Sequence, residues 1–258
     1  VRLSIHGSIK MHRFFLTQKQ FHNNYVEFPS NVSHQLTNVL RLQTGDLVLV
    51  LDNSNFEYTV RLGDVYQMPI TGDILERKLS KNEPKVELHL FFSLTSREKF
   101  EWILQKCTEV GVSSYFPFIS KRSLVQQLYV DAKKFSRWES IIKEAAEQSR
   151  RGKLPEINHP SSFQELIAML KDNYDICFLA WEDAESQSMT LKDISVDSSL
   201  SGIKKVALII GPEGGFAQDE INFALENNVT LLSLGRLILR METAAIVGSA
   251  IIMHTFSS

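Results

Sequence analysis

The sequence has few of the features that mark secreted, membrane or metal-dependent proteins. It contains only two cysteines among 258 residues, Cys107 and Cys177, each among apolar neighbours. We expect both to fill the core of a protein from a reducing compartment, rather than to form a disulfide or bind a metal. No apolar run approaches the roughly 20 residues of a membrane span. Because the histidines also lack metal-ligand spacing, the sequence predicts a metal-free cytoplasmic protein with no membrane segment.

The chain also lacks a strong excess of charge of either sign. Its formal net charge is −2, and its basic residues occur in short groups. Lys133 and Lys134 favour a solvated helix face. Arg150 and Arg151, by contrast, end a predicted helix and could reach into a cleft. Any binding of a polyanion would therefore depend on local groups of cations rather than on overall charge.

Two different patterns divide the chain. Residues 1–10 precede Met11 and are expected to be an upstream leader or a segment added for expression. Residues 11–79 show short strands between turn residues, with a short helix over 33–40, which is typical of a small β-barrel. The predicted strands span 12–16, 46–51, 57–62 and 73–78.

A polar linker over 80–85, which contains Pro84, separates this region from residues 86–258. There the pattern alternates strand with helix, as in a parallel sheet covered by helices. Apolar periodicity predicts helices over 97–110, which Gly111 can end, and over 132–150. The sequence therefore predicts an α/β domain after the barrel.

Two glycine-centred loops each follow an apolar stretch near the end of the chain. Gly211–Phe216 follows a predicted strand over 206–210, and 234–243 follows one over 229–232. Loops at the carboxyl ends of neighbouring parallel strands are where such sheets bind ligands. Neither loop has the spacing of a P-loop or a dinucleotide fingerprint, and Glu213 would repel phosphate. We expect a ligand held by backbone groups; a tight turn without a ligand is the alternative.

Several segments of the chain resemble the motifs of a known family. They include the two loops, with the sequences Gly-Pro-Glu-Gly-Gly-Phe and Leu-Gly-x-x-Ile-Leu-Arg-x-Glu-Thr-Ala-Ala, and the segments 11–15, 39–46, 106–112 and 144–151. Together they resemble the bacterial small-subunit ribosomal RNA uridine-N3 methyltransferases, which belong to the SPOUT class of knotted S-adenosylmethionine-dependent enzymes. The resemblance spans residues 11–256. It implies an α/β SPOUT-type parallel sheet with a C-terminal trefoil knot over 86–258, preceded by a PUA-like RNA-binding β-barrel over 11–79.

The resemblance also implies S-adenosylmethionine as cofactor and ribosomal RNA, within the small ribosomal subunit, as partner. A structured RNA recognised by its shape suits the local cations of this chain. The residues expected to bind the cofactor are Leu179, Ala180, Ile210, Gly211, Gly214, Gly215, Leu234, Gly235, Ile238 and Leu239. Those expected to bind RNA are Arg13, Arg41, Arg122, Arg150, Arg151 and Arg236.

Arg240 and Glu242 are the candidate catalytic residues. Methylation of uridine N3 requires loss of its proton, and a guanidinium would stabilise the charge that develops on the uracil oxygens. We assign Arg240 to that role and Glu242 to orientation or proton acceptance. In the alternative, Glu242 pairs with Arg240 or stabilises the first turn of the last helix.

The last helix predicts a partner chain. Residues 243–253 are apolar or small on every side, so we expect burial all round and a homodimer through this helix. Ala245, Gly248 and Ser249 would allow the close approach of the partner. The alternative is a central helix within one domain. In the family, each active site is completed by the neighbouring subunit.

The chain departs from the family pattern at three positions. Leu237 stands where an arginine is usual, Met241 where a small or hydroxylic residue is usual, and Ala217 where a helix-capping hydroxyl is expected. Two other functions therefore remain open. One is methylation of another RNA site, such as a ribose hydroxyl or a tRNA base. The other is an RNA-binding assembly factor whose catalytic loop has decayed, against which the retained Arg240 and Glu242 argue.

Overall fold

The computed structural model describes residues 11–170, 172–182, 189–190 and 202–256. The expected leader, residues 1–10, lies outside this part of the chain. The protein forms two compact units. The first runs to Glu83 and includes Arg150–Lys153, whereas the second contains Pro84–Ser149 and the chain from Leu154 onward. No sequence pattern indicated that a segment as distant as Arg150–Lys153 would join the first unit.

The first unit is built around a five-stranded sheet in the order β1-β3-β4-β5-β2. Strands β1 and β3 are parallel and the other neighbours are antiparallel. The strands are β1 Arg13–Phe15, β2 Tyr25–Glu27, β3 Leu47–Leu51, β4 Phe56–Leu62 and β5 Thr71–Leu79. The four strands predicted from sequence are confirmed within a few residues. The three-residue strand β2 was not predicted.

A short helix crosses the first unit. It begins at Ser30, forms α1 over Ser30–His34, and continues as a π-helix over Gln35–Val39. The predicted helix over 33–40 is confirmed, but it starts three residues earlier, directly after Pro29. Val32 and Leu36 from this helix are buried with Phe14, Val48 and other side chains in one apolar cluster.

The second unit is an α/β domain with a parallel sheet, as the sequence predicts. Its strands are β6 Glu87–Ser93, β7 Ser114–Ile119, β8 Glu156–Ile157, β9 Ser161–Ser162, β10 Ile176–Ala180, β11 Met189–Thr190, β12 Lys205–Ile210 and β13 Thr230–Ser233. They lie in the order β11-β13-β10-β12-β6-β7-β8, and β9 also pairs with β7. All pairings in this sheet are parallel. Because every parallel strand ends at the same edge, the loops after β12, β10 and β13 start side by side.

Helices cover both faces of this sheet. They are α2 Arg97–Val110, α3 Ala132–Gln148, α4 Phe163–Leu170, α5 Gln218–Glu226 and α6 Met241–Phe256. The predicted helices over 97–110 and 132–150 are confirmed, the second ending two residues earlier. Successive residues of β12 join different apolar clusters, with Leu208 facing one and Ile209 the other. This alternation shows that the strand is buried on both faces.

Helix α6 corrects part of the sequence interpretation. It packs against α2, β6 and β12, and buries one face within its own chain. Ala245, Gly248 and Ser249 lie on this inner face, so they do not form a surface for a partner. A Cβ on Gly248 would lie 3.0 Å from a methyl group of Leu208, which explains why a small residue is needed there. The outer face, with Val247 and Ile251, is only partly covered.

Both cysteines are free thiols. Cys107 is buried between α2 and the neighbouring elements, which confirms its predicted core position, and burial raises its pKa to about 12. Cys177 is half-buried, and burial raises its pKa to about 11. Within the described ranges, no helix is long and apolar enough to cross a membrane. The same residues contain no cluster of three side chains suited to bind a metal ion.

Candidate active site

The two glycine-centred loops reach one site, although their strands are not direct neighbours. Strand β10 lies between β12 and β13, with Ala180 in register with both Ile210 and Leu232. The carboxyl end of β10 therefore separates the two loops and contributes Trp181 and Glu182 to the same edge. Three loops, rather than the two that the sequence indicated, enclose the site.

A cavity of about 380 Å³ lies where these loops meet. Its described lining residues are Lys99, Ala180, Trp181, Glu182, Ile210, Gly211, Pro212, Glu213, Gly215, Phe216, Ile238, Leu239, Arg240, Met241 and Ala244. A further recess of about 60 Å³ includes Leu234, Gly235 and Leu237. Most of the residues expected to bind a cofactor are therefore brought together. We call these two spaces the loop pocket.

Two of the expected residues, Leu179 and Gly214, are not among the described residues that line the loop pocket. Leu179 is fully buried and belongs to the apolar cluster on the opposite face of the sheet from Ile210. Gly214 lies against Arg122, whose Nη1 donates to the Gly214 carbonyl oxygen at 3.1 Å. Because successive residues of a strand face opposite sides of a sheet, Ala180 and Leu179 cannot both face the pocket.

Glycine is required at two points in these loops. Gly215 has φ +67° and Gly235 has φ +123°, and both values lie in the region that side chains disfavour. At Gly211 the restriction is space rather than φ, since a Cβ would lie 2.7 Å from the Phe216 ring. These positions keep the backbone uncovered where it faces the cavity.

Two carboxylates, one from each glycine-centred loop region, approach a lysine that the sequence did not single out. Lys99 Nζ, in the first turn of α2, lies 3.0 Å from Glu213 Oε1 and 4.0 Å from Glu242 Oε2. Thr95 Oγ1 also donates to Glu213 Oε1. Burial alone would raise the pKa of Glu213, but hydrogen bonds from Thr95 and Lys99 hold it below its usual value. Glu213 is therefore ionised at neutral pH.

Glu242 has a different environment from Glu213. Its Oε2 is buried and accepts no hydrogen bond from the described residues. Glu242 lies in the first turn of α6, where a carboxylate is favourable. Within the described chain, Lys99 is the cation within 4.0 Å of this carboxylate, and Arg240 is not paired with it. The proposed Arg240–Glu242 pair is therefore not formed.

Arg240 is exposed at the edge of the loop pocket, directly before α6. None of the described carboxylates forms an ion pair with it, so its guanidinium is available to a ligand. An unpaired cation beside a cavity can stabilise negative charge that develops on a bound group. Lys99 lies in the first turn of α2 and Arg240 directly before α6, so two different helices bring positive charge to the loop pocket.

The arginines expected to bind RNA fall into two groups. Arg41, Arg122, Arg150 and Arg236 are exposed. Arg13 is not, since its side chain is only 7% exposed and its Nη1 lies 2.9 Å from Glu57 Oε2. The sixth, Arg151, is 4% exposed. Direct contact between RNA and either buried arginine would require its ion pair to open.

Arg151 is paired with the carboxylate of Glu83, which accepts hydrogen bonds from several donors. Glu83 accepts from Arg151 Nε and Nη2, both at 3.0 Å, and from the backbone N–H groups of Gly152 at 2.7 Å and Lys153 at 3.2 Å. Burial would raise the pKa of Glu83, but these bonds hold it below its usual value. The geometry gives Arg151 a structural role, which ties the segment Arg150–Lys153 into the first unit.

Comparison with known proteins agrees with this arrangement. A family model described as an RNA methyltransferase domain matches residues 81–253. The chain is 32% identical over 222 residues to Ribosomal RNA small subunit methyltransferase E of Bacillus subtilis, and covers 86% of each protein. It is 33% identical over 239 residues to the protein of the same name in Mesomycoplasma hyopneumoniae, covering 92% of this chain and 96% of that one.

Solved structures show the same similarity. The structure of Ribosomal RNA small subunit methyltransferase E from Neisseria gonorrhoeae bound to S-adenosyl methionine superposes with a TM-score of 0.83 and 26% identity. The alignment covers 95% of this chain and 98% of that one. A methyltransferase from Legionella pneumophila in complex with the same cofactor gives a TM-score of 0.82 at 26% identity, covering 97% of this chain and 100% of that one.

Proposed function

Because the chain belongs to the RNA methyltransferase family, we propose that it transfers a methyl group from S-adenosylmethionine to N3 of a uridine in small-subunit ribosomal RNA. The observation that carries this proposal is the loop pocket, which has Arg240 at its edge and Glu242 close by. Relatives matched over most of their length are named as methyltransferases of that RNA. We place the enzyme in the cytoplasm, where this substrate occurs in bacteria.

The residues of the loop pocket fit S-adenosylmethionine. Ile210, Ile238 and Leu239 provide apolar walls for an adenosyl group, and the backbone at Gly211 and Gly235 offers hydrogen-bonding groups. Ile238 is 81% exposed although it lines the cavity, so a bound adenosyl group would cover a large apolar side chain. The volume of about 380 Å³ lies within the range of about 300–1,000 Å³ that is usual for ligand pockets.

When bound, the cofactor supplies a methyl group on a sulfonium, which is already reactive toward a nucleophile. The residues of this chain must therefore align uridine N3 with that methyl group and exclude water. Arg240 is assigned to the uracil oxygen on which charge develops as N3 loses its proton. Its exposed and unpaired guanidinium supports this role.

Glu242 is assigned to orientation of the base or acceptance of the N3 proton. Its Oε2 has no hydrogen-bond donor among the described residues, but it is buried and Glu242 does not line the loop pocket, so a substrate would reach it only after the side chain rotates. Lys99, 4.0 Å away, limits the repulsion between Glu242 and the ionised Glu213. Stabilisation of the α6 first turn is compatible with this assignment, because it uses the charge of the carboxylate and needs no hydrogen bond to Oε2.

RNA recognition is assigned to the exposed arginines Arg41, Arg122, Arg150 and Arg236. Two of them, Arg41 and Arg150, belong to the first unit, which we propose is a PUA-like RNA-binding barrel over 11–79. Arg236 lies beside Leu237, which is 80% exposed in the position where the family usually has an arginine. Arg236 is itself exposed, which supports partial replacement of that missing cation.

We also propose the trefoil knot that the family resemblance implies. Strands β12 and β13 lie on opposite sides of β10, yet α6, which follows β13, packs back against β6 and β12. Such a return is compatible with passage of the chain end through a preceding loop, an arrangement that is rare outside a few families. Single-molecule stretching would test it, since a knot shortens the unfolded chain relative to its full contour length.

The outer face of α6 supports a homodimer. Thr243, Val247, Ala250 and Ile251 follow helical spacing and are exposed or only partly covered. A second copy that packed on this stripe would bury it and would stand next to the loop pocket, because α6 begins there. Light scattering should give the mass of two chains for the natural protein and of one for Val247→Glu. A single-chain mass for the natural protein would remove the dimer from the proposal.

Labelled methyl transfer to small ribosomal subunits that lack base methylation tests the function, with nucleoside mass analysis of the product. We expect 3-methyluridine, and its loss with Arg240→Ala. Label in another nucleoside would keep the cofactor and overturn the substrate, in favour of a methyltransferase for another RNA site. Tight RNA binding without any label would favour an assembly factor with a decayed catalytic loop, for which Leu237 would be the first residue to restore to arginine.

A further inference from the structure

A second and larger cavity lies at the same edge of the sheet as the loop pocket. Its volume is about 920 Å³, and it is formed by the loop after β6, the first turns of α2 and α3, and the loop after β7. We call it the α2–α3 groove. Its lining includes Thr95, Arg97, Glu101, Lys133, Lys134 and Arg137. No residue of the proposed catalytic pair lies in it.

The groove adjoins the loop pocket through one contact. Strand β6 is the direct neighbour of β12, so the loops that follow these strands start next to each other. Thr95 lines the groove, and its hydroxyl donates a hydrogen bond to Glu213, which lines the loop pocket. A polymer whose reacting nucleotide occupies the loop pocket would therefore pass close to the groove.

Positive charge predominates in the groove. Four cations line it, and one carboxylate, Glu101, is shared by two of them. Glu101 Oε1 lies 2.8 Å from Arg97 Nε, and its Oε2 lies 2.7 Å from Arg137 Nη2. The other carboxylate, Asp131, caps α3 by accepting from the Lys134 backbone N–H at 2.8 Å. Among the described residues neither Lys133 nor Lys134 forms an ion pair with these carboxylates, and the four cations outnumber the two carboxylates of the lining.

This local surplus is unusual for the chain, whose formal net charge is −2. The cationic groups also face solvent, since the side chains of Arg97 and Arg137 are 67% and 51% exposed. Ionic contacts of lysine and arginine with phosphate position a nucleic acid without reading its sequence. A cation-lined groove beside a base-modifying site is suited to that task.

We propose that the α2–α3 groove binds the phosphate backbone of the RNA strand next to the target nucleotide. This inference rests on the proposed function, and it assigns a substrate contact to residues that the sequence favoured as a solvated helix face. Lys133 and Lys134 are the phosphate-binding cations. Arg97 and Arg137, which are paired with Glu101, also line the groove.

Binding of a labelled transcript of small-subunit ribosomal RNA tests the groove. The test variant is Lys133→Ala with Lys134→Ala, and the matched control is Lys106→Ala with Lys143→Ala. The control removes the same charge from α2 and α3, at lysines that pair with Glu109 and Glu147 outside the groove. Thermal unfolding midpoints would establish that both variants are folded.

We expect the test variant to raise the Kd for RNA about tenfold at about 0.1 M salt, and to reduce the salt slope by roughly 1 to 2. The Kd for S-adenosylmethionine should not change. Equal RNA affinity in the test and control variants would overturn the proposal. A change of assembly mass confined to the test variant would also overturn it, because it would assign the groove to a second copy of the chain.

The outcome is separable from that of the proposed function. Methyl transfer by the natural protein decides the reaction, whereas direct RNA binding by the two double variants decides the groove. If no RNA is methylated but the test variant alone loses RNA affinity, the groove proposal stands and the reaction does not. If methylation occurs and both double variants bind equally, the reaction stands and the groove does not.

Discussion

Lys99 Nζ donates a hydrogen bond to Glu213 Oε1 at 3.0 Å across 114 positions of the sequence. The bond joins the first turn of α2 to the loop after β12, and it places an ammonium group in the wall of the loop pocket. The lysine also lies within 4.0 Å of Glu242. One cation therefore balances two carboxylates that would otherwise repel each other where a substrate is to be placed.

We expect Lys99→Met to lower kcat by on the order of tenfold or more, because two carboxylates lose their common cation and their alignment. The KM for RNA should change much less, since Lys99 acts through the two carboxylates and not through the residues assigned to RNA binding. Lys99→Arg should restore part of the activity. Lys106→Met, on the same helix but paired with Glu109, is the control. Identical kinetics for Lys99→Met and Lys106→Met would contradict this role.

The neighbouring residues Arg150 and Arg151 should respond differently to the same substitution. Arg151→Met leaves Glu83 as a buried carboxylate without its cation, and we expect a loss of about 3–5 kcal/mol in the free energy of unfolding. Arg150→Met removes an exposed side chain and should cost about 0.5 kcal/mol or less. Urea unfolding of the two variants measures both values.

RNA affinity should show the reverse order. Arg150→Met is expected to weaken RNA binding, because its guanidinium is exposed, whereas Arg151 has no free surface to offer. Measurements under conditions in which both variants are folded allow the comparison. Stronger loss of RNA binding with Arg151→Met, at full folding, would mean that its pair with Glu83 opens on binding.

His89 predicts a pH dependence of stability. Its Nδ1 lies 2.8 Å from the Tyr174 hydroxyl, and its charged neighbours are Lys205 and Glu87. Burial, with a smaller contribution from Lys205, lowers the pKa of His89 from 6.5 to about 4. The unfolded chain therefore binds a proton that the folded chain rejects between these two values. Stability from this group is complete above pH 6.5 and is lost as the pH falls toward 4.

We expect the natural protein to lose on the order of 2 kcal/mol of unfolding free energy through His89 between about pH 7.5 and about pH 5. His89→Gln keeps an acceptor for Tyr174 but does not titrate. Urea unfolding at both pH values should therefore show a smaller loss for the variant. Parallel losses in the two proteins would assign the pH dependence to other groups.

Ala217 offers a simple gain in stability. It has the extended conformation of a helix N-cap, with φ −75° and ψ 152°, but no side-chain acceptor. Glu220 already supplies half of a capping box, since its Oε2 accepts from the Ala217 N–H at 2.9 Å. Ala217→Ser should add the missing half and raise the free energy of unfolding by about 0.5–2 kcal/mol.

Thermal or urea unfolding measures this gain, and Gln218→Ser is a suitable control because it adds the same hydroxyl one residue inside α5. Methylation should not change, since neither position lines the loop pocket among the described residues. A stability for Ala217→Ser at or below that of the control would show that the hydroxyl does not reach the helix start.

Much of the fold could be predicted because its signals are local. Helix α2 repeats apolar residues at helical spacing and ends at a glycine, and the glycine-centred loops each follow an apolar strand. Patterns of this kind depend only on residues a few positions apart, so they fix element type and the positions of sharp turns. They also placed most of the residues that line the loop pocket.

The face of a buried parallel strand could not be predicted. Strand β10 is apolar along its whole length because it is covered on both sides, so no alternation distinguishes Leu179 from Ala180. The small residues of α6 posed the same difficulty, since Gly248 would suit either a partner chain or the chain's own sheet. In each case the answer depends on which element packs on which side.

The sequence by itself determined the α/β pattern of the second unit, the two glycine-centred loops and the candidate pair Arg240 and Glu242. Only the tertiary structure decided that Lys99 stands between the carboxylates, that Arg151 is buried on Glu83, and that Lys133 faces a groove. These relationships join residues far apart in the chain. They follow from the strand order and from the packing of helices, which no short-range pattern of residues specifies.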